Sequence, residues 1–204
     1  MSKTAVPFKF LHNCYLVLAL AATGFAGDWT VVPGRSVGKV RLGMTRTTVH
    51  QKLGKPGKTA RWRSGLVQDS WLASPVKEFD ERTFVHVLYK KNKAIQIEFN
   101  SPRFVTTTGI SMRSSLAQFR AKHKKPRVRA YVYADPDGSG YVGYYYDDVK
   151  RGLTFELGTQ DYFDARATPH SLRVHLPGRP VLPDPGGKPT PARDEIAVSS
   201  KPPL

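Results

Sequence analysis

The chain has 204 residues, a single cysteine and a formal net charge of +16, with 32 Lys and Arg against 16 Asp and Glu. That is about one domain's worth of residues. One cysteine cannot supply a disulfide framework or a cysteine-rich metal site. A positive field of this size attracts anionic partners: acidic polymers, anionic lipid heads, nucleic acid or an acidic protein.

Residues 1–26 read as a cleavable secretory signal. Lys3 and Lys9 give a positive start, Cys14 to Ala22 form a short apolar run, and Gly24-Phe25-Ala26 sets small residues before a cleavage point after Ala26. The run is about half of the roughly 20 apolar residues that cross a bilayer. The expected location is therefore secreted or periplasmic. Cys14 begins the apolar run instead of ending it, which argues against a lipoprotein. Cleavage would leave a cysteine-free chain, 27–204, and taking Lys3 and Lys9 from +16 gives +14. Thiol catalysis is then excluded.

Within 27–176 the sequence repeats itself. Val40 to Val49 aligns without gaps on Ile110 to Phe119: Val40 falls on Ile110, Leu42 on Met112, Thr45 on Ser115, Val49 on Phe119, and Lys55-Pro56 on Lys125-Pro126. Each copy has an alternating apolar lead-in, a hydroxyl suited to capping a helix, a short helix and a proline that stops it. Val49 and Leu53 form the inner side of the first helix, and Gly54 suits its left-handed end. Leu116 and Phe119 do the same for the second.

Strands are expected at 58–63, 67–72, 83–89 and 94–99 after the first helix, and at 128–133, 141–146, 153–157 and 172–176 after the second. Alternation such as Phe84-Val85-His86-Val87-Leu88-Tyr89 carries these assignments. The expected fold is α+β, two tandem repeats (27–103 and 104–176), each a short helix on a roughly four-stranded antiparallel sheet. Residues 177–204, rich in Pro, Gly, Lys and Ser, read as a disordered tail.

Gly38-Lys39-Val40-Arg41-Leu42-Gly43-Met44-Thr45, followed by Val49 and Leu53-Gly54-Lys55-Pro56, resembles the G-M-T signature of a group of small exported bacterial proteins. That group includes the secreted β-lactamase inhibitor protein and the small lipoprotein of the β-barrel assembly machinery. The motif is full in the first copy; in the second, Arg113 and Ser114 stand where Gly43 and Met44 do. The resemblance implies a tandem-repeat, non-enzymatic protein that binds other proteins through its sheet surface.

Catalytic patterns are weak. Gly34-Arg35-Ser36-Val37-Gly38 matches the G-x-S-x-G elbow of serine hydrolases, but the βαβ setting that elbow requires is missing, so a turn is expected. Asp135-Pro136-Asp137-Gly138-Ser139-Gly140 begins like a calcium loop, yet position twelve is Tyr146, not Glu, and strands flank it; a hairpin turn is favoured over a weak site using Asp147. His50, His86, His123, His170 and His175 show no metal-binding spacing. Asp147 and Asp148 are adjacent and would face opposite sides of a strand. No cofactor, metal or small-molecule substrate is expected.

The second copy carries the strongest functional signal. Arg127, Arg129, Tyr131 and Tyr133 alternate onto one strand face, with Tyr144 and Tyr146 as further members of a tyrosine platform for a protein partner. Lys122, Lys124, Lys125 and Arg127 form a basic run suited to a polyanion. Core packing of half the tyrosines competes with the platform. The expectation is an exported, non-enzymatic adaptor or inhibitor-like protein that binds another exported or envelope protein; the alternative is a protein that binds anionic polymers of the cell envelope.

Overall fold

Thr45 and Ser115 each close an extended run with a hydroxyl that accepts a main-chain N–H, and each opens a helix. Thr45 accepts from Thr48 N–H at 3.2 Å and caps α1 (Arg46–Leu53). Ser115 accepts from Gln118 N–H at 3.2 Å while the Gln118 side chain takes the Ser115 N–H at 2.9 Å; this capping box starts α2 (Leu116–Lys122). At eight and seven residues neither helix is stable alone. The computed structural model, which describes residues 28–72, 83–134, 140–158, 160–161, 164–182 and 190–191, ties both to neighbouring turns. Arg46 N–H reaches Asn92 O at 3.3 Å, and Leu116 and Ala117 N–H reach Ala167 O and Ala165 O at 2.9 Å each.

The strands, in chain order, are β1 (Thr30–Val32), β2 (Ser36–Val37), β3 (Val40–Arg41), β4 (Lys58–Arg61), β5 (Leu66–Leu72), β6 (Phe84–Lys90), β7 (Lys93–Phe99), β8 (Val105–Thr106), β9 (Arg127–Ala134), β10 (Gly140–Asp148), β11 (Leu153–Leu157), β12 (Ser171–His175) and β13 (Thr190–Pro191). They form a small sheet, ordered β3-β2-β1-β8, and a large one, ordered β13-β9-β10-β11-β12-β7-β6-β5-β4.

The expected pair of helix-plus-sheet repeats is not what forms. Among the described residues the fold is mostly β, with two short helices laid against one continuous nine-stranded sheet. β7 and β12, the last strands of the two expected copies, pair antiparallel with Phe99 opposite Leu172 and Ile97 opposite Val174. β8, from beyond residue 103, pairs in parallel with β1, Thr30 opposite Val105. Strand pairing in both sheets thus crosses the expected 103/104 boundary. A half of about 70 residues would be only marginally stable alone, and its last strand would leave an open edge. Joining β7 to β12 removes both problems.

Register separates two faces. Trp71, Val85, Phe99, Leu172, Phe155, Tyr146 and Val128 stand opposite one another in turn across seven strands. This apolar row packs with Val49 of α1, Leu116 and Phe119 of α2, and Val31, Val37, Val40 and Phe104 of the small sheet region in one core. The other face carries a matching row of Ser70, His86, Glu98, Arg173, Thr154, Asp147 and Arg127. Alternation thus sends one side of each strand to the core and the other to a polar surface.

Residues 177–182 do not behave as the expected tail. They follow β12 onto the polar face, where Val181 is buried, and β13 pairs with β9. Residues 183–189 and 192–204 lie outside the described residues, as do 1–27.

Candidate functional site

The polar face is built from strand positions that alternate with core positions. Arg173 of β12 sits at its centre. Its guanidinium donates to Glu156 at 2.9 Å and to Glu98 at 3.2 Å, and stacks 4.8 Å from the centre of the Tyr145 ring. Glu156 also accepts from Tyr145 Oη at 2.9 Å and Ser171 Oγ at 2.6 Å. Asp147 on β10 pairs with His175 Nε2 at 2.8 Å and accepts from Thr154 Oγ1 at 3.2 Å. Asp147, Thr154, Arg173 and His175 are all buried. A buried charge is tolerated only when it is paired and hydrogen-bonded, and Asp147 and Arg173 both are.

The segment after β12 lies against two of them, Asp147 and Arg173. Leu182 N–H donates to Gln96 Oε1 at 2.9 Å, and Leu182 O accepts from Gln96 Nε2 at 3.0 Å and from an Arg173 Nη1 at 3.1 Å. Val181 N–H donates to Asp147 Oδ2 at 3.0 Å. The Val181 side chain packs against Tyr145 and Tyr131, whose rings meet edge to face at 5.2 Å.

The expected tyrosine platform is therefore redistributed. Register sets Arg127, Arg129, Tyr131 and Tyr133 opposite Asp147, Tyr145, Gly143 and Tyr141, and Arg127, Arg129 and Tyr131 lie on the polar-face side of the sheet. Tyr131 lies half-buried beside Val181. The side chains of Tyr133 and Tyr141 lie outside the described residues. Tyr144 and Tyr146 do not belong to this face. They alternate onto the opposite side and lie in the main core, with Phe155 opposite Tyr146 in the register. Three consecutive tyrosines on one strand cannot share a face, because the side-chain period is two. Lys122, Lys124, Lys125 and Arg127 are exposed where α2 runs into β9, and none is in an ion pair among the described residues.

Gln96, Arg173, Val181 and Leu182 were not singled out from the sequence, and His175 was weighed only as a metal ligand. Two signals were present. Glu98, Glu156 and Arg173 interrupt strands whose neighbours are apolar, and Val181-Leu182 is an apolar pair between Pro180 and Pro183 in an otherwise polar tail.

Two further carboxylates are buried on the helix side. Asp69 on β5 accepts from Arg46, Thr59 and His50. Burial alone would push its carboxyl up, but the hydrogen bonds from Arg46, Thr59 and His50 hold it below the usual carboxylate range. Asp148 pairs with His123 Nδ1 at 2.8 Å and Arg151 at 3.0 Å. Burial lowers the His123 pKa against the opposing pull of Asp148, so the neutral ring is favoured and donates from Nδ1. Asp147 and Asp148 do face opposite sides, as adjacency on a strand requires.

The elbow-like Gly34-Arg35-Ser36-Val37-Gly38 is the turn between β1 and β2 with Ser36 inside β2. Asp135, Asp137 and Ser139 of the calcium-like loop lie outside the described residues. Among the described residues no group of three or more His, Cys, Asp or Glu could hold a metal ion. No described helix is long and apolar enough to cross a membrane.

No known protein family matches the chain, and no curated protein does. A crystal structure of a cysteine-rich secretory protein from Staphylococcus aureus matches with a TM-score of 0.41 and 13% identity, over 71% of this chain and 46% of that one. This chain thus spans less than half of that protein's length, and a likeness so distant carries no argument.

Proposed function

We propose that the protein works outside the cytoplasm as a non-enzymatic binding protein, and that its contact surface is the polar face formed by β9, β10, β11, β12 and β7. The observation that carries this reading is the way Gln96, Asp147 and Arg173 hold main-chain atoms of Val181 and Leu182. Side chains from three strands grip main-chain N–H and C=O groups, a contact that does not depend on the side chain of the residue held. The buried polar groups of this face pair with one another. The signal-like N-terminus supports the location.

The test is chemical cross-linking of the full-length protein in an extracytoplasmic fraction, comparing wild type with Gln96→Ala and Arg129→Glu. Cross-linked protein bands that survive about 0.3 M salt and vanish in the variants fit the reading, because surface charge alone is largely screened there. Identical bands for all three proteins overturn it.

A second reading has its own observation. Lys122, Lys124, Lys125 and Arg127 are exposed and close together in the chain, which suits an anionic envelope polymer. Binding of that kind weakens steeply with salt, and binding to the polar face does not.

A further inference from the structure

We propose that the polar face is a groove for an extended aliphatic peptide flanked by prolines, supplied by another exported protein, and that residues 180–182 fill it in cis. The inference rests on the binding-protein reading above and names the kind of segment bound.

The grip on residues 181–182 has two parts. Gln96 offers its amide oxygen to Leu182 N–H and its amide nitrogen to Leu182 O, so it reads backbone and is indifferent to the side chain. Asp147 takes Val181 N–H and Arg173 adds a second donor to Leu182 O. These bonds accept any extended residue pair that has the N–H groups. Selectivity comes from Val181, whose side chain is 1% exposed against Tyr145 and Tyr131, whereas Leu182 is 36% exposed. One side chain goes in and the next goes out, the pattern of a bound strand.

Pro180 and Pro183 bracket the pair. Proline has no N–H to leave unpaired, and Pro183 biases Leu182 toward extended backbone, so little conformational entropy is lost on docking. A partner segment of this type would find the groove already shaped. Asp147 is held by His175 and Thr154, and Arg173 by Glu98, Glu156 and the Tyr145 ring, none of which belongs to the segment. The cis segment follows within a few residues of the end of β12 at His175, so its effective concentration is high, and an outside peptide must displace it.

The experiment uses the full chain. Val181→Asp sets a carboxylate against the tyrosine pocket and beside Asp147, which expels the segment. The probe is a labelled synthetic peptide with the sequence of residues 177–185. The Val181→Asp protein is expected to bind it saturably and at least about tenfold more tightly than wild type, the difference being the removed competitor. The same peptide carrying Asp in place of Val181, or a protein that also carries Gln96→Ala, is expected to lose binding. Equal affinity for wild type and variant, or for the two peptides, overturns the proposal. Should Val181→Asp fail to fold, unlabelled peptide is titrated into isotope-labelled wild type. The Val181 and Leu182 amide signals are expected to move to unstructured positions, and signals unmoved at millimolar peptide overturn it. Failed peptide binding with intact, face-dependent cross-linking removes this inference alone; loss of the cross-linking removes the wider reading.

Discussion

Arg46 reaches across from α1 to place Nε 2.6 Å from Oδ2 and a terminal nitrogen 2.8 Å from Oδ1 of Asp69, whose side chain is fully buried on β5. This two-pronged pair is the main polar link between the first helix and the sheet. Thr59 of β4 adds a third donor at 2.6 Å, which holds the edge strand to its neighbour. Substituting Arg46→Met keeps the aliphatic stem and strands the carboxylate. The expected loss is about 2–3 kcal/mol in urea denaturation, below the usual cost of breaking a fully buried pair because Arg46 is 23% exposed. A loss under about 0.5 kcal/mol would show that Thr59 and His50 satisfy Asp69 unaided.

His123 caps the end of α2, stacks 4.6 Å from Phe119 and pairs with Asp148, with Arg151 on the same carboxylate. Its folded pKa lies below the ordinary value of 6.5. The unfolded chain therefore binds more protons than the folded one just below that value, and stability falls as pH drops through about 6.5. Asp148 and Asp69 are shifted below 3.8, so their contribution is present above that value and is lost at more acid pH. Two separate declines are expected in the melting temperature. A His123→Asn variant, though less stable throughout, should lack the upper one; an unchanged slope between pH 7 and 5 would remove His123 as its source.

Gly152 and Gly65 both have positive φ, 69° and 77°, yet their surroundings differ. A Cβ on Gly152 would lie 2.2 Å from His175 O and 2.8 Å from Gly34 Cα, both backbone atoms, while one on Gly65 meets nothing within 4 Å. Gly65→Ala should cost about 1 kcal/mol, the conformational penalty alone. Gly152→Ala should cost at least about 3 kcal/mol, since two main-chain segments must separate. Equal losses in denaturant melts would contradict the close approach of Gly34 in the β1–β2 turn and His175 of β12 to Gly152.

The basic corner makes a quantitative prediction. Replacing Lys122, Lys124, Lys125 and Arg127 with Gln should leave thermal stability nearly unchanged, because these exposed cations lack ion-pair partners among the described residues. Binding to a synthetic polyphosphate should weaken, and the slope of log affinity against log salt should become shallower by about 3. An unaltered slope would place polyanion contact elsewhere.

The local signals in this chain were strong enough to be read directly. Thr45 and Ser115 cap helices because their hydroxyls reach N–H groups three residues ahead, whatever the rest of the chain does. The alternation in 84–90 and 153–157 makes strands for an equally local reason; the first is shifted by one residue from its expected place and the second coincides with it. Which edges those strands pair along was not local. Leu172 opposite Phe99 joins residues far apart in sequence, and only the shared need to cover two open edges and one apolar row selects it. The Tyr144-Tyr145-Tyr146 run shows the same division. Its period of two splits the tyrosines between faces, but which face is core depends on α2 and Phe155, and that the middle ring is buried depends on Val181, 36 positions later. A proline-rich composition lowers the entropy lost on ordering as readily as it discourages a core. So the sequence alone could not tell a free tail from a segment that docks; the decision lay with Gln96, Asp147 and Arg173, brought together by the sheet.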